Sequence, residues 1–113
     1  MRLFRRGPKY GNRKVQVGGQ VFDSTAEARV YLELSARQRA GEIRDLATQV
    51  RFPLLVNGLR VCSWVADFTY VDWPSGEFHA VDVKSAFTRT LPVYRLKAKL
   101  FQACMGFAIE ERT

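Results

Sequence analysis

Residues 64–84 read WVADFTYVDWPSGEFHAVDVK. Two runs rich in Val, Phe, Tyr and Trp flank Trp73-Pro74-Ser75-Gly76, whose Pro and Gly are turn formers. This spacing predicts an antiparallel hairpin. With the turn on those four residues, Asp72 pairs with Glu77, and counting back sets Asp67 directly opposite Asp82. A two-residue turn at Pro74-Ser75 gives the same register, whereas a three- or five-residue loop shifts it by one and moves one carboxylate to the other face. Alternation along a strand makes Asp82 and Lys84 project together.

Like charges directly opposite across two strands are destabilising, and an unpaired charge among apolar neighbours is costly. A bound divalent cation removes both objections. Mg²⁺ takes one or two carboxylates, keeps several waters and leaves positions for phosphate oxygens. A lysine two residues from a ligand carboxylate can then reach the attacking water or the phosphate. The hairpin therefore reads as a metal site with a cation beside it. Taken in isolation, two strand aspartates and a lysine are more often solvent-facing charges.

Composition sets the outer bounds. A chain of 113 residues with 47% hydrophobic content has enough apolar material for one folded domain. Eighteen Lys and Arg against eleven Asp and Glu give a formal charge of +7 and a pI near 9.9. That surplus favours a polyanionic partner, nucleic acid before anionic membrane. No apolar run approaches the ~20 residues of a membrane span, and Arg5-Arg6 lacks the hydrophobic segment of a twin-arginine signal. Cys62 and Cys104 have no metal-ligand spacing, so reduced thiols and a cytoplasmic location are expected.

The single histidine, His79, excludes two-histidine zinc sites and zinc fingers. It falls on the opposite strand face from Asp82 and reads as a strand histidine contacting another element. No G-x-S-x-G elbow and no phosphate-binding G-x-x-x-x-G-K-[ST] loop is present.

In chain order, residues 1–14 carry Arg2, Arg5, Arg6, Lys9, Arg13 and Lys14 and no acid. This basic arm suits a phosphate backbone, and equally a solvated tail. The remaining residues, 15–113, form a single domain. Val15–Val17 and Gln20–Phe22 bracket the hairpin turn Gly18-Gly19. A helix follows from Asp23-Ser24 to about Ala40 and stops at Gly41. Val30, Tyr31 and Leu34 lie three, four and seven residues from Glu27, which puts Glu27 on the buried stripe. Ser24-Thr25-Ala26-Glu27 is also an S-x-x-E capping box, and on spacing alone capping is the leading reading of Glu27.

Glu42–Leu46 reads as a short connector. Gln49–Val56 reads as a strand in which Pro53 indicates an edge or a bulge, and Asn57-Gly58 as its hairpin turn. Leu59–Val61 returns, and the central hairpin follows. Residues 85–92 form a loop beside the proposed metal site. From Val93 to Met105 the pattern is helical, with Val93, Leu96, Leu100 and Cys104 as one stripe and Arg95, Lys97 and Lys99 off it. Gly106 ends this helix, and Phe107–Ile109 is expected to form a last strand.

The order helix with Glu27, strand with Asp67, Asp82-Val83-Lys84, helix with basic residues resembles the PD-(D/E)xK nuclease superfamily. More closely, residues 22–28 (FDSTAEA), 41–43 (GEI), 66–70 (ADFTY), 81–84 (VDVK) and 94–97 (YRLK) resemble the DUF1064 family of small bacteriophage proteins, related to Holliday junction resolvases. The likeness spans roughly residues 9–111. It implies an α/β (α+β) fold, a restriction-endonuclease-like core with a mixed central β-sheet flanked by helices.

Residue by residue, the resemblance makes Asp67 and Asp82 metal ligands, with the Val83 carbonyl completing the protein ligands. Lys84 orients or activates the attacking water. Glu27 contacts the metal directly or through water, which raises it above the capping reading, and Gln49 sits near the site in some members. Lys97 lies at the scissile phosphate. Ala66 stands where a proline usually precedes the first aspartate.

The implied activity is a Mg²⁺-dependent endodeoxyribonuclease, with Mn²⁺ substituting, structure-selective and resolvase-like. Its expected partner is branched or double-stranded DNA, gripped by Arg5, Arg6, Lys9, Arg13, Lys14, Arg89, Arg95 and Lys99. Cutting two strands symmetrically calls for a homodimer. Two readings from other classes are a non-catalytic DNA-binding module on the same fold, and a phage protein that binds a host factor.

Overall fold

The computed structural model describes residues 14–113. Arg5, Arg6, Lys9 and Arg13 of the basic arm lie outside the described residues. Strands β1 (Val15–Val17) and β2 (Gln20–Phe22) form a small antiparallel hairpin. Its turn is Gly18-Gly19, both with positive φ, a conformation open to glycine and costly to other residues.

Helix α1 (Thr25–Arg39) opens at Ser24, whose hydroxyl oxygen accepts the Glu27 N–H. It ends in a Schellman arrangement: Gly41 adopts φ +81°, and the Gly41 and Glu42 N–H groups return to the Gln38 and Arg37 carbonyls. Its buried stripe of Glu27, Val30 and Leu34 is the predicted one.

The main sheet has four strands in the order β3 (Ile43–Val56), β4 (Leu59–Asp72), β5 (Phe78–Val83), β6 (Glu110–Arg112). The first two pairings are antiparallel and β5–β6 is parallel. With α1 and α2 (Pro92–Met105) packed on it, this is the mixed α+β architecture the sequence predicts. No helix among the described residues is long and apolar enough to cross a membrane.

Several local expectations are corrected. Glu42–Leu46 is not a connector, because β3 begins at Ile43, buried and paired with Asp72. The charged pair Arg44-Asp45 sits in a bulge with Asp45 at φ +57°, and that bulge masked the strand's alternation. Leu59–Val61 is not a separate return strand. It is continuous with the hairpin, making β4 fourteen residues long.

The last strand is Glu110–Arg112 rather than Phe107–Ile109. Phe107 and Ile109 pack into the core instead. An edge strand tolerates charge, and here Arg112 pairs with Glu33 at 2.6 Å. Val93 and Leu96 of the predicted α2 stripe are exposed, while Phe101 is fully buried with Tyr94, Ala98 and Met105 against the same cluster. Leu100 and Cys104 of the predicted stripe do pack against this cluster, so the stripe holds in the second half of the helix and fails in the first. Pro53 does lie on an edge strand, as expected of a residue with no N–H to donate.

Two apolar clusters divide the interior. One joins Phe68, Tyr70 and Val81 to Ala28, Val30 and Leu34 of α1. The other joins Leu54, Trp64, Ala66 and Ala80 to Phe101 of α2. Asp67 is the residue between them on β4, since Ala66 belongs to the second cluster and Phe68 to the first.

Candidate active site

The β4–β5 register carries the site. Phe68 pairs with Val81, Thr69 with Ala80, Tyr70 with His79 and Val71 with Phe78. At the turn the Asp72 N–H bonds the Glu77 carbonyl at 2.7 Å. The same count places Asp67 opposite Asp82, the predicted juxtaposition. Both are buried, Asp67 to 8% exposure and Asp82 to 1%. Asp67 Oδ2 accepts the Val83 N–H at 2.8 Å, which anchors its carboxylate to the neighbouring strand. Val83 thus meets the site through its N–H. Lys84 Nζ reaches Asp82 Oδ2 at 3.1 Å and Asp67 Oδ2 at 3.8 Å. Asp82 Oδ1 is buried with no hydrogen-bond partner.

Helix α1 brings a third carboxylate. Ser24 caps the helix through the Glu27 N–H at 3.1 Å. The Glu27 side chain points elsewhere: its Oε2 accepts from Gln49 Nε2 at 3.3 Å, and the same amide donates to Asp67 Oδ1 at 3.4 Å. Capping by Ser24 and a place for Glu27 in the site therefore coexist. Gln49 adopts φ +53° within β3. A left-handed non-glycine residue costs about 1–3 kcal/mol and needs compensation from its surroundings.

Electrostatics follow from burial and crowding. Glu27 is pushed up to about 7 by burial first, then by the Asp67, Asp23 and Asp82 carboxylates, with Lys84 opposing. Burial likewise raises Asp82 above the usual carboxylate range, with Lys84 opposing and Asp67 adding to the rise. For Lys84 burial disfavours the ammonium, but Asp82 and Asp67 outweigh it and hold the amine above its ordinary value. With no ion bound, Lys84 is accordingly a cation at neutral pH.

Glu27, Asp67, Val83 and Lys84 line an open cleft of about 760 Å³. Its other wall is the loop after β5, with Ser85, Phe87, Thr88 and Leu91, and the terminal Thr113. Sequence reasoning placed this loop beside the site without singling out its residues, because they belong to no periodic element.

The remaining expected residues are more dispersed. Lys97 sits over the Trp64 ring, 5.8 Å from its centroid, and is not among the residues lining the cleft. Arg89 is drawn to Glu111 at 3.9 Å and donates to the Thr113 hydroxyl. Lys14 pairs with Asp23 at 3.0 Å in an exposed bridge, while Arg95 and Lys99 are exposed on α2. A separate acidic group, Asp72, Glu77 and His79, has ligand atoms within 4.8 Å of one another near the hairpin turn. There Arg37 approaches Asp72 at 3.6 Å and His79 stacks on Tyr70. His79 also contacts Glu110 of β6, the inter-element role expected of it.

Glu27, Asp67 and Asp82 are not a set whose ligand atoms all lie within 4.8 Å of one another, and Asp82 is buried rather than lining the cleft. What favours a hard divalent cation here is the chemistry of the donors rather than a closed cage. The donors are all oxygen, as Mg²⁺ and Mn²⁺ prefer. Asp82 Oδ1 has no protein partner, and such a buried acceptor is costly unless something satisfies it. With all three ionised, Lys84 leaves two negative charges uncompensated, the charge of one divalent ion. Asp67 and Asp82 would hold it, with Glu27 alongside.

No curated protein matches the chain. The model of a family described as "Protein of unknown function (DUF1064)" matches residues 7–107. On a match over most of its length, the chain belongs to the DUF1064 family.

Proposed function

We propose that this protein is a metal-dependent endonuclease of the PD-(D/E)xK type that hydrolyses DNA phosphodiesters. Its proposed role is structure-selective, resolvase-like cutting in phage DNA recombination or processing, as a homodimer. The observation that carries this reading is the opposition of Asp67 and Asp82, with an unpartnered oxygen on Asp82 and the Lys84 ammonium 3.1 Å away.

Phosphodiester hydrolysis has two electrostatic obstacles: the anionic phosphate repels the nucleophile, and charge grows on the phosphoryl oxygens and the leaving oxygen. When bound, a divalent cation supplies Lewis acidity, neutralising phosphate charge and acidifying water. Asp67 and Asp82 provide its anionic seat. The Val83 N–H and the Gln49 amide fix the Asp67 carboxylate in one orientation, so little reorganisation accompanies reaction. Lys84 contributes a fixed positive charge to a phosphate oxygen or the attacking water. Glu27, joined to Asp67 through the Gln49 amide, is placed to orient water. The net charge of +7 favours approach of a polyanion.

The test is incubation of the purified protein with four-way junctions, flaps and linear duplexes, in Mg²⁺, Mn²⁺ or EDTA. Cleavage of at least one substrate in metal and none in EDTA is expected, with loss in Asp82→Asn and Lys84→Ala. Salt-sensitive DNA binding without cleavage under any metal would instead identify a binding module.

A further inference from the structure

The cleft has one feature that hydrolytic chemistry does not explain. Phe87 is 73% exposed, the most exposed large apolar residue among those described, yet it lines the cleft with Glu27, Asp67 and Lys84. An aromatic ring left in water contributes little to folding, since its apolar area stays hydrated. It is also no loose loop tip. The Phe87 carbonyl accepts both the Thr90 N–H at 3.0 Å and the Thr90 hydroxyl at 2.6 Å. Behind it, Ser85 Oγ accepts the Thr88 N–H at 3.1 Å and shares a hydrogen bond with Thr88 Oγ1 at 2.9 Å. The 3₁₀ turn at Thr88–Thr90 thus braces the ring's backbone, and Leu91, 39% exposed, extends the apolar wall.

Resting on the nuclease reading, we infer that Phe87 is a stacking platform for an unpaired nucleobase of the DNA strand whose phosphate enters the cleft. The occupant follows from what adjoins the ring. A strand whose phosphate lies at Asp67 and Lys84 carries its base a few ångströms to one side, and every base offers a π-face to an aromatic ring without regard to sequence. In an intact duplex both faces of each base are already covered by neighbours. Phe87 therefore engages only a base that is flipped, frayed or single-stranded. This makes the substrate class DNA with an unpaired nucleotide beside the scissile phosphate, and Phe87 a specificity-determining residue. Stacking of this kind is lost about 5- to 150-fold in affinity on truncation.

The test uses the full chain with Ca²⁺ in place of Mg²⁺, and 2-aminopurine in an oligonucleotide either unpaired in a flap or fully paired. The wild-type chain is expected to quench the unpaired probe and leave the paired one unchanged. Phe87→Ala should lose the quenching and bind the flap at least fivefold more weakly, with duplex affinity within twofold and an unchanged Tm. Phe87→Trp should retain both. Equal flap binding and equal quenching by Phe87→Ala would overturn the inference and leave metal-dependent cleavage standing as a separate result. A change in sedimentation coefficient for Phe87→Ala with DNA binding unaltered would overturn it in favour of a contact between copies of the chain. Quenching without cleavage in Mg²⁺ or Mn²⁺ would uphold the platform and remove the nuclease. Absence of any DNA binding would remove both.

Discussion

The Gln49 side-chain amide donates to Glu27 and to Asp67, at 3.3 and 3.4 Å, from a backbone position at φ +53°. One amide thus ties α1 to β4. A neutral donor suits this position because it separates two carboxylates without adding charge. Gln49→Glu is expected to lower the Tm in EDTA at pH 8 by several degrees, about 1–2 kcal/mol of like-charge repulsion. Millimolar Mn²⁺ should restore much of that loss. Thermal melts with and without the ion measure it, and a variant as stable as wild type in EDTA would contradict the bridging role.

Asp82 is the most buried charge of the group, and its free oxygen gives a second prediction. Asp82→Asn preserves shape while removing the anionic seat. Metal-dependent cleavage should fall by roughly 10³-fold or more, in line with the loss of a group acting on transition-state charge. The Mn²⁺-induced rise in Tm, which follows mass action on the folded state, should vanish as well. A full thermal shift in Asp82→Asn would move the ion elsewhere, with Asp72, Glu77 and His79 the next place to look.

Lys84 is held above its ordinary value because Asp82 and Asp67 outweigh its burial. In the ion-free protein it is therefore protonated across the neutral range, and its proposed role is that of a charge. The cleavage profile of the wild-type protein should show no decline from pH 7 to 9 assignable to lysine deprotonation. Lys84→Ala should lose activity uniformly over that range, and a loss confined to one pH limb would assign the residue a proton-transfer role instead.

Glu27 gives a stability prediction with a definite sign. Its carboxyl titrates near 7 in the fold against 4.5 when free, so the folded state favours the neutral form. Its contribution is fully present below about pH 4.5 and is lost as pH rises through 7. Glu27→Gln should therefore exceed wild type in stability at pH 8 in EDTA, by on the order of 2 kcal/mol. The two should converge as pH falls toward 4.5. Denaturant melts at pH 5, 6, 7 and 8 measure the difference, and a gap that widened toward low pH would reverse the argument.

Much of this site was legible because strand registers are arithmetic. With the turn on Trp73–Gly76, one pairing sets the others, and Asp67 faces Asp82. The α1 stripe was equally legible, since Glu27, Val30 and Leu34 repeat at helical spacing. What escaped was structure that depends on the partner. Ile43 starts a strand because it meets Asp72 across a bulge, and no local pattern announces the bulge. The last strand was expected at Phe107–Ile109, yet it is the charged segment Glu110–Arg112 to which β5 offers a parallel edge. The cleft's far wall, with Phe87 on it, comes from a loop whose position only the packed fold supplies.

The α2 face supplies the last prediction, because aliphatic spacing and packing disagree there. Of the predicted stripe Leu100 and Cys104 pack against the core, but Leu96 is 69% exposed while Phe101, off the stripe, has no exposure. Phe101 meets Phe52 and Phe107 edge-on at centroid distances of 5.1 and 5.4 Å, and Trp64 at 5.9 Å. Phe101→Ala removes the ring from the centre of that cluster and should cost about 3–5 kcal/mol, the transfer term plus a cavity. Leu96→Ser should change stability by less than about 0.5 kcal/mol, as surface substitutions do. Urea titrations of the two variants compare them directly. A large loss in Leu96→Ser with little in Phe101→Ala would restore the stripe read from the sequence and require α2 to be rotated on the sheet.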